Sequence, residues 1–236
     1  MSDPASDPSV WLEPHLSPGD ADPPADERDE SVWDEPAVSR SLTGEPPPNA
    51  PSYAARLEAA LAARRQGTSW WVTAAVALGA GPWAVVGALL APAEAGGTLS
   101  LVVLFGPLAE EVMKVAAATI VVERRPWLFA SARQIVFACA SGGLVFAALE
   151  NALYLLVYIP EPTPGLILWR WTACVALHMG CSAIAGRGVA RVWEEVWRRR
   201  ARPDLAWSWR WLIAAVTIHG AYNLVATICA LTTAGK

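Results

Sequence analysis

Lysine is nearly missing from this 236-residue chain, which has sixteen arginines but only Lys114 and the terminal Lys236. Histidine is as scarce, with three residues, and cysteine little commoner, with four. Cys139, Cys174, Cys181 and Cys229 all fall within apolar runs and none in a loop. That pattern argues against a disulfide scaffold and for small buried thiols. No His-Glu-x-x-His run occurs, so the specific helical zinc-peptidase signature is lacking. The apolar runs are unequal and show no inverted repeat, which counts against a secondary transporter. The first residues lack the positive flank and short apolar core of a secretory signal, so the first apolar run is expected to direct the chain to the membrane.

What is present divides in two. Residues 1–50 hold twelve acidic residues and two arginines, whereas residues 51–236 hold ten acidic and sixteen basic ones. The formal charge of −4 therefore joins an acidic tail to a basic body. The tail is rich in Pro, Asp, Glu and Ser and cannot bury enough apolar surface to offset its ordering entropy, so it is expected to be disordered. Within it Ser9-Val10-Trp11-Leu12-Glu13-Pro14 recurs as Ser31-Val32-Trp33-Asp34-Glu35-Pro36. The repeat is either a docking motif for a partner or duplication in low-complexity sequence. The basic body points to anionic lipid headgroups, and no nucleic-acid partner is expected.

Residues 51–69 read as an amphipathic juxtamembrane helix, with Tyr53, Leu57 and Leu61 at four-residue spacing before Arg64 and Arg65. Residues 70–236 form the membrane domain. Five runs are long enough to cross a bilayer, Trp70–Pro92, Thr98–Val122, Ile135–Ile159, Leu166–Ala190 and Trp209–Thr233. The fold class is thus all-α, a polytopic bundle of about five transmembrane helices behind a disordered tail. Basic residues crowd alternate loops, Arg124, Arg125 and Arg133 in one and the Arg187–Arg210 series in another. The positive-inside rule then puts the N-terminus in the cytoplasm and the C-terminus outside, in a plasma membrane. Arg170 is the one basic residue near an outer end, where its side chain can snorkel.

The ionisable residues inside these spans carry the functional argument, because charge in the bilayer is costly and marks sites. Glu110, Glu111 and Lys114 lie mid-span in the second run. At 1.5 Å per residue, Glu110 is roughly 18 Å from the outer start of its span, His178 roughly 18 Å, and His219 roughly 15 Å from the inner start. Glu150 and Asn151 lie in the outer half of the third span. Glu110 and Glu111 differ by about 100° around the helix, so one faces a cavity and the other a neighbouring helix. Which is which stays open. Lys114 can reach either. Pro107 offers no N–H to the Val103 carbonyl, so a kink is expected just before the pair. Gly142-Gly143 allow another helix to approach. His219 and Asn223 share a face and together could hydrogen-bond an oxyanion.

Four motifs, Glu110-Glu111-Val112-Met113-Lys114, Phe146-Ala147-Ala148-Leu149-Glu150-Asn151, His178 with its small-residue run to Gly186, and His219-Gly220-Ala221-Tyr222-Asn223, together resemble the PrsW family of intramembrane proteases. That family is distantly similar to the CAAX prenyl endopeptidases and the abortive-infection membrane proteins. The resemblance spans about residues 70–230. It implies proteolysis of membrane-embedded regulators such as anti-sigma factors. It implies Glu110 or Glu111 as the base that activates water, Glu150 and His178 as groups positioning water or substrate, and His219 with Asn223 at the oxyanion, supported by Lys114 and Asn151. The second motif has Glu150 where the CAAX enzymes have His. The glutamic type, with no cofactor, is the favoured reading. A zinc ion held by Glu110, Glu150, His178 and His219 is the alternative. A proton- or ion-coupled transporter and a non-catalytic scaffold acting through the Trp-bearing tail are the other two.

Overall fold

The computed structural model describes residues 52–65, 67–90 and 98–234, and the acidic tail with its Trp repeat lies outside them. The described residues form an all-α bundle of six helices. They are α1 (Tyr53–Ala62), α2 (Thr68–Leu90), α3 (98–124), α4 (Ala132–Tyr158), α5 (Pro164–Arg199) and α6 (Trp209–Ala234). Helix α1 buries Leu57, and Arg64 just beyond it donates through Nη1 to the carbonyls of Trp127 and Phe129 at 2.9 and 3.4 Å. The juxtamembrane segment is thereby tied to the turn between α3 and α4.

Helices α2, α4, α5 and α6 are long and apolar enough to cross a membrane. Helix α3 was expected as a fifth span. Its 98–124 extent gives about 40 Å of helix, ample for a bilayer. The position of its charge sets it apart from the other four: every 18-residue stretch of α3 contains Glu110, Glu111 and Lys114. Large apolar side chains point outward around the bundle, Trp71 and Leu156 among them at 80% and 83% exposed. Patches of this extent are unfavourable against water and suit lipid. Cys139, Cys174 and Cys181 are buried as expected, whereas Cys229 is exposed on α6.

Helix α4 lies between α2 and α5, and two glycines make that possible. A Cβ on Gly142 would stand 2.7 Å from the Ala80 Cβ of α2. One on Gly143 would stand 2.6 Å from both the His178 carbonyl and the Ser182 Oγ of α5. Without a strong hydrophobic drive between helices in lipid, such small-residue contacts let backbones approach and pack. The apolar core beside them is likewise built of small and β-branched residues, among them Ala118, Val122, Ala138, Ala185 and Val189.

The described residues also contain three π-turns, Leu101–Phe105 in α3, Tyr154–Tyr158 closing α4, and Arg170–Cys174 in α5. The first has a local cause. In the π register Gly106 N–H bonds the Leu101 carbonyl, so the next carbonyl, Val102, would look to residue 107, which is proline and has no N–H. The Asn223 amide of α6 donates to Val102 instead, at 3.0 Å. The expected kink before the carboxylates is therefore a π-turn held by a second helix, with the orphaned carbonyl one residue earlier than Val103. The Val103 carbonyl packs so closely on Gly220 that any Cβ there would collide with it.

The position of Gly143 gives a test of this packing. Gly143→Ala forces backbone apart and is expected to cost about 1–3 kcal/mol, read as a lower unfolding midpoint in detergent. Gly180→Ala, where a Cβ meets nothing within 4 Å, is expected to leave that midpoint unchanged or slightly raised.

Candidate active site

The π-turns, the proline and the glycines converge on a buried polar chain. Lys114 projects from α3 with no solvent exposure. Its Nζ lies 2.8 Å from Glu111 Oε1, 3.4 Å from Glu110 Oε2 and 3.0 Å from His178 Nδ1 of α5. The Phe146 ring of α4 caps the ammonium at 4.2 Å from its centroid. Glu111 Oε1 also meets His219 Nδ1 of α6 at 2.8 Å. On the other side, His178 Nε2 meets Glu150 Oε2 at 3.1 Å, and Glu150 Oε2 meets Arg170 Nη2 at 2.8 Å. Four helices are joined through side chains in one sequence of contacts.

The partners set the tautomers. An ammonium only donates, so His178 Nδ1 accepts and its Nε2–H donates to Glu150. A carboxylate only accepts, so His219 donates from Nδ1, and only as a neutral ring does it keep a lone pair on Nε2. That Nε2 points towards Glu110 Oε2 at 3.8 Å. Glu110, Glu111 and Glu150 face the cations Lys114 and Arg170, so the site has one carboxylate more than it has cations. Glu111 and Glu150 each have a cation at 2.8 Å, whereas the nearest to Glu110 is at 3.4 Å. Glu110 is the least compensated of the three.

A cavity of about 530 Å³ opens onto this chain. Its polar floor carries Glu110, Glu150, His178, His219 and Asn223. Its walls run to the end of the bundle where α4 stops and α5 begins, past Tyr158, Ile159 and Leu166. Residues of all three π-turns line it, Val102, Tyr154 and Arg170 among them. Glu111 and Lys114 stand behind the floor, both fully buried. The choice between the two neighbouring glutamates, open in the sequence, therefore has a geometric answer for access: Glu110 faces the cavity, and Glu111 anchors Lys114 and His219. Asn223 has spent one amide hydrogen on Val102, leaving the other. Asn151 is turned away from the floor, its Oδ1 accepting from Arg170 Nε at 3.0 Å and its Nδ2 donating to the Arg170 carbonyl at 2.9 Å.

The pattern of the PrsW family intramembrane metalloprotease matches residues 59–235. The chain belongs to the PrsW family. It is accordingly a multi-pass membrane protein and an intramembrane peptidase. No curated protein and no solved structure matches it.

The family description raises the metal question, and the donor chemistry can be tested against it. Glu110, His178 and His219 bring one ligand atom each within 4.8 Å of one another, a donor set of the kind zinc takes. Glu110 suits the part, and so does His219, whose Nδ1–H rests on a carboxylate as metal-bound imidazoles commonly do. His178 does not, because Lys114 occupies its Nδ1 lone pair and its Nε2 carries the proton given to Glu150. Glu150, the fourth expected ligand, is held aside by Arg170 and His178. As arranged, the residues do not fit a three-ligand catalytic metal.

Arg170 is the residue that sequence reasoning misplaced. Rather than snorkelling to the surface, its side chain is 12% exposed and lies over the Tyr154 ring at 3.8 Å. The signal was its solitude, a cation seventeen residues ahead of the next one in its apolar run, Arg187. Tyr222 was also passed over as a residue in its own right, and its hydroxyl meets Cys174 Sγ at 3.1 Å beside the cavity.

Lys114→Met would leave two buried carboxylates short of their shared cation. Removing one partner of a buried pair costs about 3–5 kcal/mol, expected as a matching loss of stability in denaturant titration. Adding Glu111→Gln is expected to recover part of it.

Proposed function

We propose that this chain cleaves membrane-anchored regulatory proteins, anti-sigma-factor-like in kind, by water that Glu110 activates without a metal. The observation that carries the reading is Glu110 itself, the cavity-facing and least compensated carboxylate, with His219 Nε2 at 3.8 Å from its Oε2. Glu110 takes a proton from water, and the resulting hydroxide adds to the substrate peptide carbonyl. The C–N bond then breaks as that proton passes to the departing amine, restoring the carboxylate. His219 Nε2 orients the water as an acceptor. The remaining amide hydrogen of Asn223 donates to the oxyanion. Glu111 and Lys114 hold the two histidines, with Asn151 supporting from behind. Glu111 and Lys114 lie fully buried behind the floor, out of bulk water, which strengthens their hold on the two histidines.

The distribution of basic loops supports a plasma-membrane orientation with the N-terminus cytoplasmic. The cavity mouth then faces outward, so the scissile bond belongs in the outer half of a substrate span or just beyond it. The acidic tail remains a candidate docking segment for a partner.

A metal-dependent mechanism is the second reading, favoured by the family description and the spacing of Glu110, His178 and His219. Two measurements separate the readings. Glu110→Gln is expected to lower cleavage of a co-expressed membrane substrate by at least ~10²-fold while the protein still inserts and folds; normal cleavage by that variant would sink the assignment. Elemental analysis of purified active protein is expected to find no stoichiometric zinc, and activity should survive chelation. Zinc that leaves together with activity would establish the second reading.

A further inference from the structure

Arg170 makes more internal contacts than its place near a helix start requires. Nε donates to Asn151 Oδ1, Nη2 donates to Glu150 Oε2, the guanidinium lies over Tyr154, and the backbone carbonyl accepts from Asn151 Nδ2. Asn151 thus grips Arg170 at both its side chain and its main chain, within a π-turn that has shifted the local backbone pairing. Such turns occur most often where a helix has been adapted to a site. A planar guanidinium can hold two acceptors at fixed angles, which an ammonium cannot.

The group held is Glu150, and its position matters. Glu150 lines the same cavity as Glu110 and would otherwise be a second mobile carboxylate there. The same Glu150 oxygen that Arg170 holds receives the His178 Nε2–H. His178 in turn accepts from Lys114 at Nδ1, and Lys114 holds both members of the glutamate pair. Arg170 touches none of Glu110, Lys114 or His219 by any contact in the chain of hydrogen bonds; it reaches them only through Glu150 and His178.

We propose that Arg170 is a positioning residue, which fixes Glu150 as the acceptor for His178 and so orients the imidazole and Lys114 behind Glu110. The proposal rests on Glu110 being the base, and it adds a residue outside the four family-like motifs. It makes the outer end of α5 part of the catalytic apparatus, with Glu150 serving as an orienting anion.

The test is a double-substitution cycle on the full-length protein in detergent micelles. The probe is a fluorophore–quencher peptide with a single apolar span that the wild-type protein cleaves. Arg170→Gln is expected to lower kcat by ~10–100-fold, the usual effect of removing an orienting partner one shell out, with KM changed by less than about twofold. In a Glu150→Gln background the same Arg170 substitution is expected to change kcat by less than about twofold, since the group it acts through is already gone. Arg170→Lys keeps the charge without the two-pronged grip and should recover part of the activity. Equal losses in both backgrounds would overturn the proposal, as would an unchanged kcat, or a raised KM alone, which would make Arg170 a substrate-binding residue. If Arg170→Gln is not recovered folded, Arg170→Lys carries the same cycle, with roughly a tenfold loss expected in the wild-type background and none with Glu150→Gln. Glu110→Gln is measured alongside. Its retention of activity would remove the base assignment, whereas coupling between Arg170 and Glu150 is read from the cycle alone.

Discussion

A single buried ammonium organises this protein. Lys114 has no exposure to solvent and is shared by Glu111, Glu110 and His178, under the face of Phe146. A lone ion at that depth would be prohibitively costly, and a buried pair regains its desolvation only with good geometry and further hydrogen bonds. Here those bonds come from three helices. The same contacts that make the charge tolerable also fix two histidine tautomers, so the stability requirement and the site geometry are one constraint. Arginine, abundant elsewhere in the chain, would bring a planar fork rather than a compact point donor to this three-acceptor position.

The backbone is shaped around that requirement. Gly143 lets the His178 turn of α5 lie against α4, and Gly220 lets α6 meet the π-turn of α3. Pro107 removes one N–H, the Val102 carbonyl is freed, and Asn223 answers it from the opposite helix. Irregular backbone at membrane depth is tolerated where it lines a cavity or is buried in protein. All three π-turns contribute residues to the cavity wall, so the departures from regular helix coincide with the cavity. At the other end of the bundle the arrangement is ordinary surface electrostatics: Glu194 and Glu195 bind Arg187, Arg191, Arg198 and Arg199 beside Trp207.

Much of this was legible beforehand. Long apolar runs, glycine pairs and mid-span charge are local signals, because the bilayer imposes length and polarity on each helix separately. The family motifs were legible for the same reason, each lying on one helix. The identity of the cavity-facing glutamate was not, since adjacent helical residues differ in direction but sequence gives no absolute rotation. Arg170 was misread because position along a span says how deep a residue is and nothing of which partner awaits it. The metal question behaves similarly: a Glu–His–His donor set can be counted from sequence, yet whether His178 has a free lone pair depends on Lys114, 64 residues away.

The amino-acid sequence by itself determined the helices, their apolar surfaces and the set of ionisable residues carried into the membrane, because those follow from hydropathy and from the 3.6-residue period. Only the tertiary structure decided that Glu110 faces the cavity, that Glu111 and Lys114 stand behind it, and that Arg170 closes the far end of the same chain. Rotation, tautomer and partnership are properties of helices packed against one another, fixed by where glycine lets backbones touch and where a proline leaves a carbonyl to be answered.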